Sequence, residues 1–258
     1  MAFASIYGLK IFYQDEGPKD HSDRPTLLFI HGWCATHKSF EEQVKAFKKS
    51  HRCLVVDLPG FGKSSKPKID FTMTIYGEVL NGFCEKLKLK KPILIGHSLG
   101  ALVALEMNWQ DQSISQQLIL IDSAPIIMMK QIRQNMRLTL DNIRERGIEF
   151  QMKQLCDHFF LMPDTDPHYK AELLAQSKHA DKHAAEAIWA HMIDYDGKRA
   201  FKSAKAPISY ISGTRQQNNR KQLERYQPTM NWAQVMRGSH ICHLTEAGQV
   251  NAMIASLI

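Results

Sequence analysis

One short segment limits what this chain can fold into more than any other. Ile93 to Ile95 is an apolar run with the character of a buried strand, and Ala101 to Trp109 has the apolar spacing of a helix. Between them stand five residues, Gly96-His97-Ser98-Leu99-Gly100. A serine flanked by glycines, where a buried strand turns into a helix, occupies a tight, strained bend that lifts its hydroxyl above the sheet edge. The glycines let neighbouring backbones approach closely. Such a bend presupposes a layered arrangement of strands and helices.

The rest of the chain supplies those layers. Leu9 to Asp15 alternates like a half-exposed strand, whereas Thr26 to Ile30 is continuously apolar, as a strand covered on both faces should be. Helical spacing follows over Phe40 to Lys49, then strand-like Cys53 to Val56, helical Thr74 to Lys88, and, after the Ser98 turn, the buried run Gln117 to Ile121. From Ala124 to about Lys205 only helices are expected, rich in Met, His, Gln and aromatic residues and broken by Pro163-Asp164-Thr165-Asp166-Pro167. The alternation resumes with Ile208 to Ile211, a helix around Arg220 to Tyr226, a short strand near Ala233 to Met236, and a last helix from Glu246 to Leu257. Right-handed crossovers then give a doubly wound, mostly parallel sheet, with 1–123 and 206–258 as the core and 124–205 as an inserted helical cap.

Bulk properties narrow the function classes. A chain of 258 residues, 44% hydrophobic, suffices for one core and a subdomain. The +7 charge resides in short lysine runs, Lys45 to Lys49 and Lys86 to Lys91, at expected helix ends facing water, so no nucleic-acid partner is expected. No stretch approaches the roughly 18 apolar residues of a membrane span, and the first ten residues lack a basic segment followed by an apolar run. A cytoplasmic protein without a membrane partner is expected, a monomer or homodimer. Cys34, Cys53, Cys84, Cys156 and Cys242 are scattered and odd in number, which suits reduced thiols better than a disulfide framework or a metal site. His179 and His183, four apart on an expected helix, lack the acidic companion of a metal motif. No cofactor or metal is expected.

Further segments belong with the serine turn. His31-Gly32-Trp33 follows a buried strand, Asp57-Leu58-Pro59-Gly60-Phe61-Gly62-Lys63-Ser64 follows the next, and Gly238-Ser239-His240 precedes the last helix. On these motifs the chain resembles the α/β-hydrolase superfamily over nearly its whole length outside the cap. The resemblance implies the amides of Trp33 and Leu99 as an oxyanion hole, His240 as the base for Ser98, with His243 a competitor, and the loop at 57–64 as pocket wall. A serine hydroxyl is a weak nucleophile until a histidine takes its proton, and a histidine base works only while neutral, so activity should fall as the pH drops through the ordinary imidazole range near 6.5.

The acid departs from the common pattern. The family usually carries it about three residues past the glycine ending the next-to-last strand, yet 213–219 reads Gly-Thr-Arg-Gln-Gln-Asn-Asn, without a carboxylate. Asp122, at the end of the strand Leu118 to Ile121, is the expected replacement; Asp194, Asp196 or no acid are the alternatives, and Asp122-Ser123-Ala124-Pro125 also reads as a helix-entry turn.

Three function classes follow. The first is a serine esterase acting through an acyl-enzyme on a small, largely apolar ester, because Met128, Met129, Met136, Phe159, Phe160, Met162, Trp189 and Met192 offer the cleft adaptable apolar surface. The second, by a fainter resemblance, is a cofactor-independent dioxygenase of 3-hydroxy-4-quinolones, in which His240 and Asp122 deprotonate the substrate and Ser98 only binds it. The third is a small-molecule receptor with reduced turnover. Dehalogenases and epoxide hydrolases of this fold need a carboxylate where Ser98 stands. Cys34 and Cys242, beside the oxyanion loop and the base, are expected to line the pocket.

Overall fold

The computed structural model describes residues 2–19, 24–215 and 217–258. Eight strands, β1 (Ala2–Ile6), β2 (Leu9–Glu16), β3 (Leu27–Ile30), β4 (Cys53–Val56), β5 (Ile93–His97), β6 (Gln117–Ile121), β7 (Ile208–Ser212) and β8 (Asn231–Gln234), form one sheet in the order β1-β2-β4-β3-β5-β6-β7-β8. β1 and β2 pair antiparallel with each other, β2 pairs antiparallel with β4, and every other pair is parallel.

The continuous apolar runs reflect burial on both faces. Leu28, Ile30, Leu54, Val56, Leu94, Leu118 and Leu120 point into the core shared with α2 (Met73–Lys86) and α3 (Leu99–Gln110). Their alternates, Leu27, Phe29, Val55, Ile93, Ile95, Ile119 and Ile121, pack on the other side against α1 (Glu41–Phe47) and the C-terminal helix. Strand parity alone decides which helical layer each residue meets.

Between β6 and β7 the chain runs through α4 (Lys130–Leu155), a π-helical turn (Cys156–Phe160), α5 (Pro167–Ser177), α6 (Lys182–Asp194) and α7 (Gly197–Ser203). α4 packs on α5 and α6, while α7 lies against α3. There the buried carboxylate of Glu106 accepts a hydrogen bond from the Tyr195 hydroxyl at 2.8 Å. α4 is not one straight rod, because Gly147 adopts φ 86° and ψ 171°, a conformation open essentially to glycine alone. After β7 come α8 (Arg220–Glu224), β8, α9 (Cys242–Thr245) and α10 (Ala247–Ala255), so the expected last helix is α10, with the short α9 before it.

Other departures from the sequence reading have local causes. β1 has no strong strand formers at Ala2, Ala4 and Ser5, and exists because the turn at Tyr7 (φ 48°) and Gly8 (φ 81°) folds it back onto β2. β8 begins two residues earlier than expected, because Trp232 stacks on Tyr210 of β7 with ring centroids 4.6 Å apart. All five cysteines are buried, with no disulfide. No helix among the described residues is long and apolar enough to cross a membrane.

Candidate active site

The parallel neighbours β5, β6 and β7 end side by side, with His97 opposite Ile121 and Ile121 opposite Ile211. Whatever follows each strand therefore shares one edge of the sheet, where ligands of such folds bind. Ser98 follows β5, Asp122 follows β6, and Gly213 follows β7.

The serine bend is built by exclusion of side chains. Ser98 has φ 51° and ψ −114°, a conformation held by the hydrogen bond its N–H donates to Ile121 O (3.1 Å) and by the start of α3. A Cβ on Gly96 would sit 2.3 Å from Gly100 O, and one on Gly100 would sit 2.0 Å from Ile30 O. Only glycine lets strand, bend and helix close on one another here.

Hydrogen bonds link three of the expected residues. His240 Nε2 lies 3.1 Å from Ser98 Oγ, and His240 Nδ1 lies 2.7 Å from Asp122 Oδ2. Asp122 is fully buried, and its other oxygen accepts the Gly213 N–H at 3.1 Å. A carboxylate only accepts, so the imidazole proton sits on Nδ1, leaving bare Nε2 facing the serine hydroxyl. The rings of Phe159 and Phe160, carried by the π-helical turn, pack against the imidazole at centroid distances of 5.1 and 4.9 Å.

The other candidates lie elsewhere. His243 is buried with its ring against His97 (4.1 Å) and Phe40 (5.1 Å), and burial followed by the nearby His240 pushes its pKa down to about 3. His97 donates from Nε2 to His240 O at 2.9 Å and is held well below the ordinary imidazole range, by burial first and then by the adjoining histidines. Asp194 pairs with Arg133 at the surface, and Asp196 caps α7 by accepting from Arg199 N–H. His179 lies in the turn after α5 and His183 in α6, so they share no helix; the latter faces Asp70 at 3.0 Å. Among the described residues no group of three His, Cys, Asp or Glu side chains is arranged to hold a metal ion.

The segment 31–33 is held from both ends. Leu58 N–H donates to His31 Nε2 (2.9 Å), so His31 Nδ1–H donates to Gly32 O (2.8 Å), and burial depresses the pKa of this ring. Trp33 places its indole N–H on Ala185 O of α6 at 2.9 Å, with its ring edge-on to Trp189 at 4.9 Å. Leu99 opens α3, so its N–H belongs to the first-turn amides that lack an intrahelical partner.

Two expectations about the pocket wall need correction. The loop at 57–64 does not line the cavity but seats α6: Gly60 O accepts from Asp181 N–H (2.8 Å), and a Cβ at Gly60 would press on Ala184 at 2.4 Å. Burial opposes ionisation of Asp57, yet hydrogen bonds from His37 and Lys63 and the neighbouring imidazoles keep its pKa below the usual value. Cys34 and Cys242 are also packed away from the cavity, with burial pushing both thiols up.

The cavity itself, about 640 Å³, opens over Ser98 and His240. Met129, Met136, Phe159, Phe160, Trp189 and Met192 wall it together with Ile132 and Leu155, whereas Met128 and Met162 do not reach it. Its polar edge is Asn135, Thr139 and Gln217 to Asn219; among the described residues that line it there is no Lys, Arg, Asp or Glu.

The model of the alpha/beta hydrolase fold family matches residues 25–233, and the chain belongs to that family. It is 28% identical over 120 residues, 46% of its length, to epoxide hydrolase 2 of Caenorhabditis elegans, covering 33% of that protein. The chain spans 32–43% of the first curated relatives it matches. Its fold is similar to that of an esterase from Exiguobacterium antarcticum (TM-score 0.88, 19% identity, 99% of this chain and 98% of that one). It is also similar to an enol-lactonase from Burkholderia xenovorans LB400 (TM-score 0.87, 18% identity, 98% of each chain).

Proposed function

We propose that this protein is a serine hydrolase that cleaves a small, uncharged, largely apolar ester through an acyl-enzyme. The observation that carries this reading is the chain of contacts Asp122, His240, Ser98, at 2.7 and 3.1 Å, opening on a cavity whose described lining holds no Lys, Arg, Asp or Glu.

Ser98 Oγ attacks the ester carbonyl as its proton passes to His240 Nε2, and Asp122 steadies the imidazolium from Nδ1. The amides of Trp33 and Leu99 receive the oxyanion, fixed donors stabilising charge that appears only at the tetrahedral stage. Collapse expels the alcohol, which takes the proton from His240; water then repeats the sequence on the acyl-serine and frees the acid. The relative named epoxide hydrolase shares the fold family, but with serine at position 98 the chain lacks the carboxylate that would form an ester with an epoxide.

Substrate neutrality follows from the walls. A carboxylate brought into a cavity with no cation loses its hydration without a partner. A nitrophenyl ester whose acyl chain ends in a carboxylate should therefore turn over at least about tenfold more slowly than its methyl-ester counterpart.

The decisive experiment is steady turnover of a short-chain nitrophenyl ester together with fluorophosphonate labelling and mapping of the modified residue. Modification at Ser98, and loss of turnover by about 10⁴-fold in Ser98→Ala, are expected. Oxygen uptake with a 3-hydroxy-4-quinolone that survives Ser98→Ala would overturn the hydrolase in favour of the dioxygenase, and ligand binding without labelling would favour a receptor.

A further inference from the structure

The segment after β7 carries no carboxylate, yet it reaches the same imidazole nitrogen as Asp122. Its described residues are tied down on both sides: Gly213 N–H donates to Asp122 Oδ1 (3.1 Å), and Thr214 N–H to Gly238 O (2.7 Å). The buried Asn218 amide accepts from Ile126 N–H (2.8 Å) and donates to Ser123 O (2.9 Å). Between these ties the side-chain amide of Gln217 is held with its Nε2 3.0 Å from His240 Nδ1.

Nδ1 has one proton, directed at Asp122 Oδ2. An amide NH₂ facing that N–H makes no hydrogen bond, whereas the amide carbonyl does. A half-turn of the amide changes neither its shape nor its reach, so the pairing orientation places Gln217 Oε1 toward Nδ1. The remaining neighbours of the ring are uncharged: Phe159 and Phe160 on its faces and His97, itself held neutral, at 4.9 Å. Beyond His97 stands the neutral His243, so Asp122 is the single charged group touching this imidazole among these contacts.

We propose that Gln217 is a second positioning residue for His240, its side-chain carbonyl sharing the Nδ1 proton with Asp122 and keeping Nε2 aimed at Ser98. The proposal rests on the triad reading above. It has a specific consequence: a carboxylate at position 217 stands where it can take over the work of Asp122.

The test uses the full chain and the second-order rate of Ser98 labelling by a fluorophosphonate, which depends on His240 drawing the Ser98 proton and needs no knowledge of the natural substrate. Gln217→Leu, and Gln217→Asn, whose amide is one methylene too short, are each expected to slow labelling about three- to tenfold. Asp122→Asn should slow it by about 10³-fold or more. The double variant Asp122→Asn, Gln217→Glu should recover at least about tenfold over Asp122→Asn alone, a gain that a merely structural glutamine would not produce. Thermal melts by circular dichroism establish that each variant is folded. If Gln217→Leu and Gln217→Asn label within about twofold of the parent, or the folded double variant recovers nothing, Gln217 has no such role even where Asp122→Asn is crippled. A loss at Gln217 with Asp122→Asn unaffected would instead overturn the triad assignment and leave Gln217 as the partner of His240.

Discussion

The strand ends that carry Ser98, Asp122 and His240 and the helices that roof them are held in shape by different forces. At the strand ends the backbone does the holding. Cys34, Ser98 and Asp122 all have positive φ (54°, 51° and 35°), and the Ser98 and Asp122 N–H groups donate to Ile121 O and Ile211 O on the neighbouring strands (3.1 and 2.7 Å). Glycines at 96 and 100 allow contacts that no side chain would permit. In the roof the side chains do the holding: Trp189 donates its indole N–H to Met136 O (2.9 Å), Trp33 ties α6 to the segment below, and flexible methionines fill the wall. Strained, over-determined backbone suits groups that must meet within hydrogen-bond reach, while adaptable packing suits a surface that must accept a ligand. Reactivity and selectivity should therefore separate under mutation.

The sharpest way to break this contrast is Gly100→Ala, which adds one methyl group. Its Cβ would overlap Ile30 O, so a loss of about 3–5 kcal/mol in stability is expected, or no soluble protein at all; a melting temperature within a few degrees of the parent would show that the bend tolerates what its geometry forbids. Next in size is acid. His31, His97 and His243 have depressed pKa values in the folded state, so below about pH 6.5 the unfolded chain binds protons that the folded chain refuses. The stability these neutral rings confer is complete above that pH and declines on acidification, by up to about 1.4 kcal/mol per pH unit for each ring. Melting temperature should fall by roughly 10 °C between pH 7 and pH 5, and His243→Phe should flatten that slope; a flat profile in the parent would refute the buried-neutral assignment.

The roof should respond differently. Trp189→Phe removes the bond to Met136 O and loosens the wall at a cost of about 1 kcal/mol. KM for bulky esters should shift several-fold while labelling of Ser98 by a small fluorophosphonate stays within about twofold, and equal losses in both would erase the distinction between roof and strand ends. The smallest effect on the reactive site belongs to Gly147→Ala. Nothing stands within 4 Å of the added Cβ, so the cost is backbone strain alone, about 1–3 kcal/mol, seen as a melting shift of a few degrees with the labelling rate unchanged.

How much was legible in the sequence varies with the same division. β3 to β7 are read correctly because strands covered on both faces must be apolar throughout, and the Ser98 bend because its glycines are needed locally. β8, on the sheet edge with Asn231 and Gln234 exposed, carries a weak pattern and is misplaced by two residues. The expectation that Cys34, Cys242 and the loop at 57–64 wall the cavity failed because adjacency in sequence to a reactive residue says nothing about which way a side chain points. Gln217 is not legible in the sequence, because the expected partner of a catalytic histidine is a carboxylate and a neutral amide carries no such signal. Phe159 and Phe160 read as apolar wall in the sequence, but their packing on His240 depends on a π-helical turn with no evident marker in CDHFF.

What the sequence determines by itself is local: alternation of buried strand and helix, the bend at Ser98, and a short set of histidines and acids from which a site could be drawn. Which members of that set meet is a tertiary decision. Ser98 and His240 are 142 residues apart, and Asp122 and His240 are 118 apart. His240 faces the serine and His243 does not because one ring turns toward the strand ends while the other is packed against Phe40 and His97. Backbone preference acts over a few residues, whereas the meeting of distant groups is settled only when strand order, helix layers and side-chain volume are satisfied together.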